Sequence, residues 1–219
     1  MDFVLTRLKP YNRWFILVPL VLSGVWFSIL EIKILDPEYL LYIKLDDYIP
    51  YVPLFVIPYV FWYFYVAAPA IYLFFQAPND FVRMAIFLTI GMVIACTAYT
   101  LFPNGQVLRP VLTGYDEPLI RLIRFIYSND TPTNSAPSIH VIYSVAAHSA
   151  VAYYIMSINR FIWVKWLSLF VSALCIISTV FIKQHSLIDL ILGLAVSGLL
   201  YFLLYKLKVK KPKRGEDVV

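Results

Sequence analysis

Three short stretches of this apolar chain hold residues suited to chemistry: LFPNGQVLRPVL (101–112), NDTPTNSAPSIHVIYS (129–144) and TVFIKQHSLIDLILG (179–193). In the third, His185 and Asp189 stand four residues apart, so on a helix both project from one face. A carboxylate so placed accepts the proton of one imidazole nitrogen, fixes the tautomer and leaves the other nitrogen basic. Lys183 adds a cation just ahead of them. In the second stretch, Asn134 or Ser135 can cap a helix whose first turn suits Pro137. Ser138 and His140 then lie beside free backbone N–H groups at the positive end of the helix dipole, a ready anion site. His140 is placed to act as general acid to a leaving oxygen. In the first stretch Arg109, before Pro110, suits bidentate binding of phosphate, although an arginine snorkelling to the interface reads the same.

Together these residues match covalent phosphoryl transfer: a nucleophile, its orienting carboxylate, a proton donor and charge stabilisers. Each motif alone also has a plain structural reading, as a polar pair at a helix end or a capped helix start. Two histidines and an aspartate could ligate zinc, but arginine and lysine nearby point to an anion, so no metal or other cofactor is expected.

The elements that must position these groups are membrane helices. The chain has 219 residues, is 61% hydrophobic with a mean hydropathy of +0.77, and carries 14% charged residues, where soluble domains carry roughly a quarter. The expectation is an all-α, polytopic membrane protein forming one transmembrane domain over residues 1–219, with no internal repeat. Six spans are marked at about 14–31, 51–75, 84–102, 139–158, 161–182 and 186–205, each near the ~20 residues that cross a hydrocarbon core. The first reads as an uncleaved span rather than a signal peptide. Pro53 and Pro58 predict a tilt or kink in the second. Cys96 and Cys175 fall inside apolar runs and read as structural.

The net charge of +5 and pI near 9.1 do not indicate nucleic acid, because the surplus flanks apolar runs, most clearly in the tail YKLKVKKPKRGEDVV. With both termini on one side, that side holds Arg7, Lys9, Arg13, Arg83, Arg160, Lys165 and the basic tail, whereas most acids lie opposite. Both termini are therefore expected in the cytoplasm. The long 103–138 connection and the turn carrying Lys183 and His185 then share the extracytoplasmic face. Within that connection, EPLIRLIRFIYSND predicts a short interfacial helix, with Arg121 and Arg124 turned to headgroups or to the site. Asp130 and Asn134 bracket the approach to His140, and His148 reads as a packed core histidine.

The order R-P, P-S-x-H and H-x3-D across six spans resembles the type 2 phosphatidic-acid phosphatase superfamily, whose usual signature is K-x6-R-P, P-S-G-H and S-R-x5-H-x3-D. The resemblance implies that His185 is the nucleophile, that Asp189 orients it, and that His140 protonates the leaving group and later activates water. It further implies that Arg109, Ser138 and the backbone near Ile139 hold the phosphoryl oxygens, without metal, at a site entered from the outer leaflet. Two positions depart from the signature: Phe102 replaces the lysine and Thr179 the arginine, although Ser178 keeps its place. Lys183 is the expected substitute, with Arg121 and Arg124 next. The form PSIHV…KQHSLID looks closer to the branch containing sphingomyelin and inositol-phosphorylceramide synthases.

The implied activity is hydrolysis of a lipid phosphomonoester or diphosphate of the phosphatidic acid, phosphatidylglycerol phosphate or polyprenyl diphosphate type. Transfer of the headgroup phosphate to an alcohol through the same phosphohistidine is the alternative, and a non-catalytic lipid-phosphate binder or transporter is a third reading. The expected partners are a phospholipid or polyprenyl phosphate and the membrane, which the brevity of the chain suggests is a bacterial plasma membrane. A homodimer is left open.

Overall fold

A computed structural model describes residues 12–114 and 116–207. The basic N-terminal start and the tail after Leu207 lie outside the described residues. The longer helices are α1 Leu17–Lys33, α2 Val56–Gln76, α3 Pro78–Leu101, α4 Pro118–Asn129, α5 Ile139–Ile158, α6 Ile162–Phe181 and α7 Leu187–Tyr201, the last continuing through a wider π turn to Lys206. Among the described residues, five segments are long and apolar enough to cross a membrane: Pro53–Gln76, Pro78–Leu101, Ile139–Ile158, Ile162–Phe181 and Leu187–Lys206. Their outer faces expose Phe61, Phe64, Ile71, Phe170, Leu199 and Phe202. So much outward apolar surface suits lipid tails rather than water. The chain is a membrane protein.

Of the six expected spans, the first is the short one. Helix α1 has 17 residues, about 25 Å at the usual rise, against a core of about 30 Å. The third begins earlier than its apolar run, at Pro78, because a proline lacking an N–H fits a first turn and Asp80 follows it there. Asp80 pairs with Arg83 at 3.0 Å, which lets a charged pair sit inside that helix. Of the prolines of the second span, Pro53 falls in a 3-10 turn, Pro53–Phe55, ahead of α2, Pro58 lies in the first turn of α2, and Pro69 lies further inside it.

Helix α5 is the centre of the bundle, packing against α2, α3, α6 and α7, while α1 lies on α3. Its buried face of Ile142, Ala146, Ala147 and Ala150 belongs to one cluster with Met84, Phe87, Leu88 and Ala95 of α3. Small residues there let the helices approach closely. Helix α4 sits where a helix was expected in the long connection. It buries Ile120, Ile123 and Ile126 against Val56, Tyr59, Leu112 and Ile182, so three residues at helical spacing tie the loop to the bundle.

The all-helix expectation needs one correction. Strand β1 Tyr39–Leu40 pairs in parallel with β2 Asn104–Gly105, Tyr39 opposite Asn104 and Leu40 opposite Gly105. These short ladders sew the 32–50 connection to the 103–138 connection, because otherwise-idle backbone groups find partners there.

Candidate active site

The start of α7 is built around one carboxylate. Ser186 is the N-cap, and Asp189 closes the capping box by accepting the Ser186 N–H at Oδ2, 3.1 Å away. The same Oδ2 lies 3.0 Å from His185 Nδ1. With Nδ1–H donated to Asp189, the lone pair of the imidazole is left on Nε2. That nitrogen lies 3.3 Å from the Ser138 hydroxyl. The Ser138 N–H in turn donates to the Asp189 carbonyl at 3.2 Å, joining the starts of α5 and α7 directly. Gly193 makes the approach feasible: a Cβ there would sit 3.0 Å from the Ser138 carbonyl oxygen and 2.9 Å from Val141 Cβ.

Ser138 is the N-cap of α5, but its side chain makes no capping hydrogen bond. The first-turn N–H groups of any helix lack intrahelical partners, so this helix start keeps donors for an anion. Asn104 shapes the turn leading into it. Its Oδ1 accepts the Ser135 and Ala136 N–H groups at 3.1 and 2.9 Å, and its amide donates to the Ala136 carbonyl at 3.0 Å.

His140 follows two residues later. Its ring packs between Trp62, 4.3 Å between centroids, and Tyr59, 4.8 Å, and meets the His185 ring edge-on at 5.5 Å. Its Nε2 is buried and makes no hydrogen bond. Both histidines line a cavity of about 440 Å³ between α1, α2, α3 and α5, with an apolar side from Phe27, Trp62, Met92 and Tyr143. Its polar side comes from Glu31, Asp130, Thr131, Asn134 and Gln184.

The structure thus brings His140, Ser138, Ile139, His185 and Asp189 together and distributes the expected cations elsewhere. Arg109 does not line the cavity. Its guanidinium donates to the carbonyls of Tyr127 and Asp130 and to Gln184 Oε1, the first at 2.9 Å and the last at 2.8 Å. Burial lowers the pKa of Arg109, and the nearby Asp130 opposes that shift. Lys183 is likewise turned away, its ammonium donating to the Asp46 carbonyl at 2.7 Å. Its backbone has φ of 57°, and the turn carries the side chain to the 32–50 connection. Arg121 and Arg124 are exposed beside Asp116, at 3.9 and 3.5 Å. His148 lies 3.3 Å from the Ser168 hydroxyl.

Several contributors carry no sequence signal. Asp46, 1% exposed, accepts the Ser186 hydroxyl at 2.6 Å and the Leu187 N–H at 2.9 Å. It therefore stabilises the positive start of α7, from 140 residues away. Glu31 accepts Asn134 Nδ2 at 2.7 Å and the Thr131 hydroxyl at 2.8 Å, tying α1 to the turn before α5. Gln184 bridges Arg109 and the Asp130 carbonyl. Of the capping box, Ser186 followed by Asp189, only the acid stands out in the sequence, for its spacing to His185.

Residues 109–213, just under half of the chain, match the model of the PAP2 superfamily. The matched stretch contains Arg109, Ser138, His140, His185 and Asp189. No curated protein and no solved structure matches the chain.

Proposed function

We propose that this chain is a membrane phosphatase of the PAP2 superfamily that cleaves a lipid phosphomonoester or diphosphate through a phosphohistidine on His185. The observation that carries the reading is the placing of His185: Nδ1 on Asp189 at 3.0 Å, Nε2 free to face the Ser138 hydroxyl, in a cavity wall shared with His140. Nε2 attacks phosphorus as the bond to the lipid oxygen breaks, and His140 supplies the proton that the departing alkoxide needs. Asp189 stabilises the charge that develops on the His185 ring. Water then attacks the phosphohistidine and gives its proton to His140, releasing inorganic phosphate and restoring both rings. The Ser138 hydroxyl and the N–H groups near Ile139 hold the phosphoryl oxygens. Arg109 and Lys183 act indirectly, by bracing the two connections against α7.

In this reading α1 is a sixth, short span, both termini are cytoplasmic, and the site opens at the opposite face with α4 lying along the membrane surface. Phosphatidic acid, phosphatidylglycerol phosphate and polyprenyl diphosphates are the first substrates to test. The experiment is phosphate release by purified protein in detergent with EDTA, comparing wild type with His185→Ala. Release that persists in EDTA and is lost in the variant is expected. Release that survives the substitution would sink the proposal. Water-soluble phosphate gives way to a phosphorylated alcohol if an alcohol, not water, is the acceptor.

A further inference from the structure

A second cavity, of about 590 Å³, lies further along α5, toward Ile158, and no step of the phosphoryl transfer uses it. Val145, Ser149 and Met156 of α5 and Leu194, Gly198 and Tyr201 of α7 line it at helical spacing, so it is a cleft between two helix faces. The helices meet closely at Gly193, where a Cβ would strike Val141. At Gly198, little more than a turn on, a Cβ would meet no atom within 4 Å. Lys165, in the first turn of α6, and Lys206, the last residue of the π turn, complete the lining. Such turns are rare and recur at functional sites.

The polar groups of this cleft are unspent. Each ammonium lies over one ring, Lys165 over Trp166 at 5.0 Å and Lys206 over Tyr201 at 5.8 Å. Neither makes a hydrogen bond or an ion pair among the described residues. Asp80, which reaches Tyr205 of the lining electrostatically, is itself paired with Arg83 at 3.0 Å. Ser149 is an independent sign. A serine inside a helix commonly bonds the carbonyl four residues back, as Ser197 does to Gly193 at 2.7 Å. Ser149 is 3% exposed and lines the cleft, yet its hydroxyl makes no hydrogen bond among the described residues. Unlike the sealed hydroxyl of Ser144, it keeps surface open to the cleft.

We infer that this cleft binds a phospholipid with an anionic phosphodiester headgroup, taken from the leaflet at the end of the bundle where α5 finishes. Two lysines and a free hydroxyl supply donors and positive charge to phosphate oxygens. Leu194 and Met156 are exposed at the rim, so the apolar walls continue into surface that faces lipid, and an acyl chain covers them. A soluble anion would use the lysines and leave those walls uncovered. Lysines at a membrane surface attract headgroups without any built site; the open space at Gly198 and the idle Ser149 hydroxyl make this a site. The inference stands apart from the phosphohistidine reading.

The test is binding to the purified full chain in detergent. The probes are dioctanoyl phosphatidylmethanol, an anionic phosphodiester that is neither substrate nor product of the reaction assigned to His185, dioctanoyl phosphatidylcholine, and chain-free dimethyl phosphate. The anionic lipid is expected to bind about tenfold or more tightly than the zwitterionic one, and dimethyl phosphate about a hundredfold more weakly than the anionic lipid. Lys165→Gln combined with Lys206→Gln should bring the ratio of the two lipids to within about twofold, and Ser149→Ala should weaken the anionic lipid about fivefold. Gly198→Leu, which fills the cleft and keeps both lysines, should weaken both lipids about tenfold. Equal affinity for the two lipids in the wild type overturns the inference. Dimethyl phosphate binding as well as the whole lipid overturns it in favour of a free-anion site. Anionic-lipid affinity untouched by Gly198→Leu overturns it in favour of general surface attraction, and Ser149→Ala takes over that decision if Gly198→Leu does not fold.

Discussion

Helix α5 carries one histidine at its start and another at its middle, and the two places differ in what arrives beside them. At His140, the starts of α5 and α7 meet, Asp189 orients His185, and a cavity is shared with Glu31 and Asn134. At His148, two turns on, the ring meets the hydroxyl of Ser168, and the adjoining cavity of about 590 Å³ gathers Lys165, Lys206 and tyrosines without a carboxylate among its described lining residues. The same side chain on the same helix is therefore a reactive candidate at the start and a bracing group two turns further on. Histidine becomes a catalyst when a carboxylate fixes its tautomer and an unpaired nitrogen faces a cavity.

Substitutions can break that contrast. The largest effect is expected from His185→Ala, which removes the nucleophile and should lower phosphate release by about 10⁴-fold or more. His140→Ala follows, with a loss of about 10²–10⁴-fold, the usual share of a general acid. A leaving group of low pKa, such as a nitrophenol, should recover much of it, because such an oxygen leaves without a proton. Recovery equal for good and poor leaving groups would contradict the assignment. Gly193→Ala comes next: a Cβ 3.0 Å from the Ser138 carbonyl must push α5 and α7 apart. A displacement of this kind costs roughly tenfold or more in kcat, seen in kinetics of protein whose thermal unfolding is little changed. Asp46→Asn should show chiefly in stability, by about 1–2 kcal/mol, read from thermal unfolding in detergent. The smallest effect is expected at mid-helix, where His148→Ala should change kcat/KM by no more than about twofold. A large loss there would erase the distinction between the two histidines.

What the sequence discloses follows the same division. His185 stands just ahead of the Ser186 cap of α7 and Asp189 in its first turn, and Ser138 caps the helix whose first turn holds His140, so local geometry alone assembles half of the site. The apolar runs likewise reveal five helices, since length and hydropathy are local properties. Glu31, Asp46 and Asn104 were not visible because each acts on a partner in a distant segment; Ser186 and Asp46 are 140 residues apart. Lys183 illustrates the limit of nearness in sequence. It stands two residues from His185, and a turn with positive φ sends its ammonium to the Asp46 carbonyl. Arg109 reads in sequence as a phosphate ligand or an interfacial arginine, and in the fold its guanidinium is occupied by carbonyls and Gln184. The prolines show how context overrides a local rule, since Pro53 ended up outside the helix it was expected to bend.

The most direct test of the central claim is to trap the intermediate. Purified protein incubated briefly with a lipid labelled at its phosphate, then quenched in alkali and digested, should yield one labelled peptide carrying an acid-labile phosphate on His185. Label on His140 or another residue, or turnover with no protein-bound phosphate at any quench time in a chain where His185→Ala remains active, would contradict the account.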